Sequence, residues 1–124
     1  MSSANKILVS SKKLDPQVLK SLIGAPFPDM VKFVVDIDRR IIAVGGQLHS
    51  DAEDLLIERE CEQRSLWGGN YFPGLGAEEC IRFTSLINIR PGDGNRSMNV
   101  EDPKVQARIR QIVFDLIGKG EALP

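Results

Sequence analysis

Two runs rich in β-branched residues, MVKFVVDID at 30–38 and IIAVGGQL at 41–48, constrain this chain more than any other feature. They are joined through Asp38, Arg39 and Arg40, so the chain must turn straight back, and the pair predicts an antiparallel hairpin. Val31, Phe33, Val35 and Ile37 share one face of the first run. Lys32, Asp36 and Asp38 share the other, which predicts a sheet with a core side and a partly wet side. Gly45 and Gly46, late in the second run, mark a bulge or a place where another backbone or a ligand comes close.

Helices are predicted on either side of this hairpin. After a short apolar stretch at 7–9, LDPQVLKSLIGAP carries Asp15 as N-cap, Pro16 at the first helical position, and Gly24 and Pro26 beyond the end. Leu14, Val18, Leu19, Leu22 and Ile23 form its apolar stripe. HSDAEDLLIEREC predicts a second helix, with Ser50 and Glu53 capping each other reciprocally and Leu55 and Leu56 buried. EDPKVQARIRQIVFDLIGKG repeats the Asp–Pro start at Asp102 and Pro103, with Val105, Ile109, Ile112, Val113, Leu116 and Ile117 at helical spacing. Between the last two helices, SLWGGNYFP and IRFTSLINI predict a second hairpin linked by the Gly- and Pro-bearing loop PGLGAEEC. The expected fold is α+β and two-layered: a mainly antiparallel sheet built from two hairpins, with three helices, in a single domain over 1–124.

Charge and cysteine usage narrow the function classes. Sixteen basic against 17 acidic residues leave a net charge of −1, without a global pull toward nucleic acid or an anionic membrane. The basic positions Lys104, Arg108 and Arg110 have no aromatic interleaved with them, so nucleic-acid binding is not indicated. No apolar run approaches the length of a membrane span. MSSANKILVSSKK lacks the apolar segment of a secretory signal, and Cys61 and Cys80 have no metal-like or redox spacing. Both are therefore expected as free thiols in a reducing cytoplasm. GLGAEE at 74–79 has Glu79 where a dinucleotide-binding loop needs its third glycine, and no phosphate-binding Gly-Lys-Ser/Thr occurs.

Two places carry candidate chemistry. SLINIRPGDGNRSMNVEDP puts Arg90, Asn95, Arg96 and Ser97 around a glycine-rich bend, where guanidinium forks and outward amides are the parts of an anion site. The same composition also suits a turn whose polar side chains serve its own backbone. His49, the sole histidine, precedes Ser50, Asp51 and Glu53. If a helix starts there, these side chains diverge and no multidentate metal site forms. No serine lies in a nucleophile elbow, and Trp67, Tyr71 and Phe72 are expected in the core rather than lining a pocket.

DMVKFVVDIDRRIIAVGGQLHSDAE, LWGGNYFP and SLINIRPGDGNRSMNVEDP together resemble a family of small microbial proteins classed as a domain of unknown function. The resemblance runs over about 29–119 and brings neither reaction nor cofactor. It implies that His49, Asp51, Arg90, Asn95, Arg96 and Ser97 form one surface. The leading expectation is an anionic small molecule, or an acidic group of a partner, bound by the 90–97 loop near His49, with His49 titrating near neutrality. The alternatives are a metal-dependent hydrolase using His49 with Asp36 or Asp51, and a homo-oligomeric module paired through strand edges.

Overall fold

The computed structural model describes residues 6–24 and 27–124; Pro26, expected beyond the first helix, lies outside them. In chain order the elements are β1 (Ile7–Ser10), α1 (Pro16–Leu22), β2 (Val31–Asp36), β3 (Ile41–Gly45), α2 (His49–Glu58), β4 (Leu66–Tyr71), β5 (Ile81–Arg82) and α3 (Pro103–Leu116). Three short 3₁₀ turns, Gln63–Ser65, Leu86–Asn88 and Pro91–Asp93, punctuate the second half. The strands form one antiparallel sheet in the order β1-β3-β2-β4-β5.

The central hairpin forms as its pattern predicts, with Phe33 opposite Val44 and Val35 opposite Ile42. Asp36 closes the turn: its Oδ1 accepts from the N–H groups of Asp38 and Arg39, both at 2.9 Å. The apolar stretch at 7–9 becomes an edge strand on β3, with Ile7 beside Gly45. Gly45 holds φ at +112°, and a Cβ there would collide with the Lys6 carbonyl, so the glycine is what lets β1 start this close.

Both Asp–Pro helix starts are as expected. Asp15 Oδ1 accepts from the Gln17 N–H, and Asp102 Oδ1 from that of Lys104. The α1 and α3 helices pack Leu19, Leu22, Ile109, Ile112, Val113 and Leu116 against Phe33, Val35, Ile42 and Val44, the main two-layer core. The opposite face of the sheet, expected partly wet, instead carries α2. Ala52 and Leu56 pack there on Val34, Ala43 and Leu66, because Val34 gives β2 an apolar residue between Lys32 and Asp36.

The second hairpin is shorter than its sequence pattern. Only Ile81 and Arg82 pair with β4, opposite Tyr71 and Asn70. SLINI does not continue the strand: Ser85 Oγ accepts from the Ile87 N–H and starts the turn Leu86–Asn88. This turn brings Asn88 against β4 two residues from Asn70. There its side-chain amide accepts from the Gly68 N–H and donates to the Gly68 carbonyl, both at 2.9 Å. Asn88 thus does for Gly68 what a strand backbone would do.

Asn88→Ala is expected to cost about 2–4 kcal/mol in urea unfolding, because two buried backbone groups of Gly68 lose their partners. A loss below about 1 kcal/mol would show that the amide does not hold the segment in place.

Candidate functional site

The site lies on the α2 side of the sheet, at the end of β2 where Lys32 stands opposite Asn70. One step along, Val34 faces Gly68 across the strands. The missing side chain at Gly68 lets two other parts of the chain approach the sheet. A Cβ there would lie 2.7 Å from Ser85 Cβ and 3.2 Å from the His49 ring. Between the start of α2 and the 84–87 segment this leaves a cavity of about 310 Å³. Lys32, His49, Ser50, Asn70 and Thr84 supply its polar groups, and Leu48, Leu86, Ile87 and Met98 its apolar wall.

The helix start at this cavity differs from the sequence expectation. Leu48, not Ser50, is the N-cap residue of α2, and no side chain caps it. Leu48 is extended and its carbonyl accepts from the Asp51 N–H, so the helix begins at His49 and Ser50 is already inside the first turn. The leading amides of a helix have no partner within it. Leu48 offers them no side-chain acceptor, so the helix start is left uncapped at the cavity's edge, and Asp51, the acidic residue of the first turn, is on the other flank.

His49 is buried, with 8% of its surface exposed, and its Nε2 lies 2.7 Å from the Gly69 carbonyl. An oxygen acceptor there fixes the neutral tautomer with the proton on Nε2. Burial pushes the ring from its ordinary 6.5 down to about 4; nearby Lys32 adds to this, while the Gly69 carbonyl and the Asn70 side chain oppose it. The expectation that His49 titrates near neutrality is therefore corrected. Lys32, half-buried, is itself shifted down by desolvation, and Phe27 covers it at 5.2 Å. Among the described residues no carboxylate pairs with it.

The 90–97 loop is adjacent to this cavity but does not line it. Arg90 turns inward: its guanidinium donates to the carbonyls of Gln63 at 2.6 Å and Leu66 at 2.7 Å and stacks on Trp67 at 4.0 Å. Asn95, buried, donates to the carbonyls of Asn88, Ser97 and Asn99 and accepts from the Glu101 N–H. The amides of Arg96 and Ser97 do converge on an anion, and it is the chain's own Glu101 carboxylate, at 3.1 and 2.9 Å. Ser97 and Arg96 together hold Glu101 below the usual carboxylate range. The Arg96 side chain is exposed.

Asp51 faces away from the cavity, toward a depression it shares with Gly46, Asp54 and Glu58 on the other flank of α2. Asp36 is buried at the hairpin turn. Among the described residues no three His, Cys, Asp or Glu side chains group closely enough to hold a metal ion. Cys61 and Cys80 are buried, and burial raises both thiols above their ordinary range, so neither is a ready nucleophile at neutral pH.

Sequence reasoning passed over Lys32, Ser50, Asn70, Thr84, Leu86 and Met98 as site residues. Only Lys32 left a signal, as a lone cation on an otherwise apolar strand. Leu86, placed in a strand by its neighbours, is 72% exposed on the rim.

An antiparallel sheet with helices on both faces and a small polar-floored, apolar-walled cavity at one helix start defines a small α+β protein with a ligand-sized pocket. The chain belongs to the family described as Protein of unknown function (DUF5674), whose model matches residues 7–116. That match starts at β1 and ends with α3. No curated protein matches the chain, and no solved structure does. None of its described helices is long and apolar enough to cross a membrane.

His49 makes stability depend on pH. Its folded-state value of about 4 is below the ordinary 6.5, so the unfolded chain binds the proton first as pH falls. The contribution is fully present above about pH 6.5 and lost on the way down to about pH 4, on the order of 2–3 kcal/mol. Urea midpoints across that window should fall more steeply for the wild type than for His49→Gln; parallel curves would refute the shift. The two arginines of the loop should also separate: Arg90→Ala should lower stability by about 2–3 kcal/mol through the bared Gln63 and Leu66 carbonyls, and Arg96→Ala by under about 0.5 kcal/mol. Equal losses in thermal unfolding would contradict these placements.

Proposed function

We propose that the protein binds a small anionic molecule in the cavity at the start of α2. The observation that carries this reading is a half-buried ammonium, Lys32, without a carboxylate partner among the described residues, beside a helix start that no side chain caps. Desolvating a cation is costly unless something negative meets it, and a first-turn amide draws anions for the same electrostatic reason. A bound acid group receives the Lys32 ammonium, the leading amides of α2 and the Ser50 hydroxyl. Thr84 already spends its hydroxyl on Asn99, at 2.9 Å, and so shapes the wall instead.

In this reading the 90–97 loop supports the site from behind. Asn95 ties the carbonyls of Asn88 and Asn99 together, which keeps Asn88 on Gly68 and Met98 at the rim. Arg90 anchors the same loop to the chain just before β4. His49, neutral at physiological pH, forms the cavity floor.

A thermal-shift panel of phosphate, sulfate, acetate and longer carboxylates tests the proposal. At least one anion should stabilise the wild type by about 2–3 kcal/mol when present at a hundredfold excess over its Kd. Lys32→Ala should remove that stabilisation while Arg96→Ala keeps it. An identical response in Lys32→Ala, or none from any anion in the wild type, would overturn the reading.

A further inference from the structure

Resting on that reading of the cavity, we infer that its occupant is a monocarboxylate with an apolar body, and that it enters together with a proton that settles on His49. The charge of the site calls for an anionic head group. Lys32 supplies one full positive charge and the start of α2 a fraction of another, enough to balance one negative charge. A protonated His49 would also meet a second negative charge, so charge alone does not separate a monoanion from a dianion, and the apolar wall makes the choice. The body follows from the wall: Leu48 and Leu86 remain 57% and 72% exposed beside Met98 at 40%, and an apolar chain lying on them removes that surface from water.

The proton follows from the acceptors around the ring. Nε2 faces the Gly69 carbonyl at 2.7 Å, while the buried Oδ1 of Asn70 has no hydrogen-bond partner. Asn70 Nδ2 points at the Thr84 carbonyl, 3.4 Å away, which leaves Oδ1 as the oxygen on offer. Its side chain acts on His49 in the sense of holding a proton there. A neutral imidazole has one N–H and gives it to Gly69; an imidazolium has a second, and the Asn70 oxygen is the unpartnered acceptor that acts on this ring. What keeps the ring neutral in the empty site is burial, with Lys32 on β2 as the charged group that faces it.

No other element packed against the ring brings a charge. The β4 residues Gly68–Asn70 and the segment Thr84–Asn88 contain no ionisable side chain, and the carboxylates of α2 do not shift the ring. A carboxylate beside Lys32 is thus the first negative charge His49 meets. It neutralises Lys32 and attracts a proton to the ring, against the burial that remains. The proton comes from solvent: one carboxylate and one H⁺ bind, the Nδ1–H bond forms, and no other bond changes.

Octanoate, octan-1-ol and inorganic phosphate serve as probes on the wild-type protein. Because the chain has a single histidine, its ring resonance reports one titration, centred near pH 4 without ligand. Saturating octanoate should move that midpoint up by about two pH units. Calorimetry at pH 5.5 in two buffers of different ionisation enthalpy should show uptake of more than half a proton. Octanoate affinity should fall about threefold between pH 5.5 and 6.5 in the wild type and then level off, and stay level throughout in His49→Gln. Octanol should bind at least tenfold more weakly than octanoate. Octanoate binding with an unmoved His49 midpoint overturns the proton step, and phosphate binding without octanoate overturns the ligand class; in both cases the anion site itself stands. If neither phosphate nor any carboxylate binds, this inference and the reading beneath it fail together.

Discussion

The amide of Asn88 on the backbone of Gly68 is the interaction on which the rest of the site depends. Beyond Arg82 the sheet has no further β5 residue to pair with β4, so the N–H and carbonyl of Gly68 would be buried without partners. Unmet backbone groups of that kind cost about 1–3 kcal/mol each. Asn88 meets both, and its Nδ2 also reaches the Met98 carbonyl at 3.0 Å. One side chain thereby joins β4, the turn Leu86–Asn88 and the chain leading to α3. Ser85, three residues before Asn88, can lie this close to β4 only because Gly68 has no side chain to hold it off.

The same vacancy accounts for the cavity's chemistry. Any residue larger than glycine at 68 would press on Ser85 and on the ring of His49, and α2 could not begin over the sheet where it does. With the helix start pinned there, His49 is forced into a buried position and loses its affinity for protons, while Lys32 is drawn partly out of water beside it. Two groups that ordinarily carry positive charge at mildly acidic pH are thus held where positive charge is costly. The fold tolerates this because one of them stays neutral.

How much of this was legible in the sequence depended on the range of the interaction. The Asp–Pro starts of α1 and α3 were readable because a cap and its amide lie two residues apart. The central hairpin was readable because alternation and a short polar connection announce a tight return, although the turn takes four residues, 37–40, and pairs Asp36 with Ile41. The start of α2 was misplaced by two residues: the Ser50 and Glu53 pattern is a valid local cap, but the helix begins earlier, where His49 meets Gly69, 20 positions away. SLINI reads as a strand on its β-branched residues and becomes a turn because Asn88 satisfies β4 by its side chain. Lys32, Asn70 and Leu86 come from three separate segments, so no spacing pattern links them.

The glycine-rich loop shows why composition and function part company. Its arginines, asparagines and turned amides are the parts that capture anions elsewhere, and here they do capture one. The carboxylate of Glu101 sits on the amides of Arg96 and Ser97, supplied at almost no entropic cost from five residues away. An external anion would have to displace a tethered one. Lys32 faces no such competitor among the described residues, because the strands beside it offer only Asn70 and backbone, and the helix above it has an apolar cap with its first-turn Asp51 on the other flank. A single half-buried ammonium without a carboxylate is therefore a less satisfied charge than a whole loop of tied polar groups, although in the sequence it is one lysine in an apolar run.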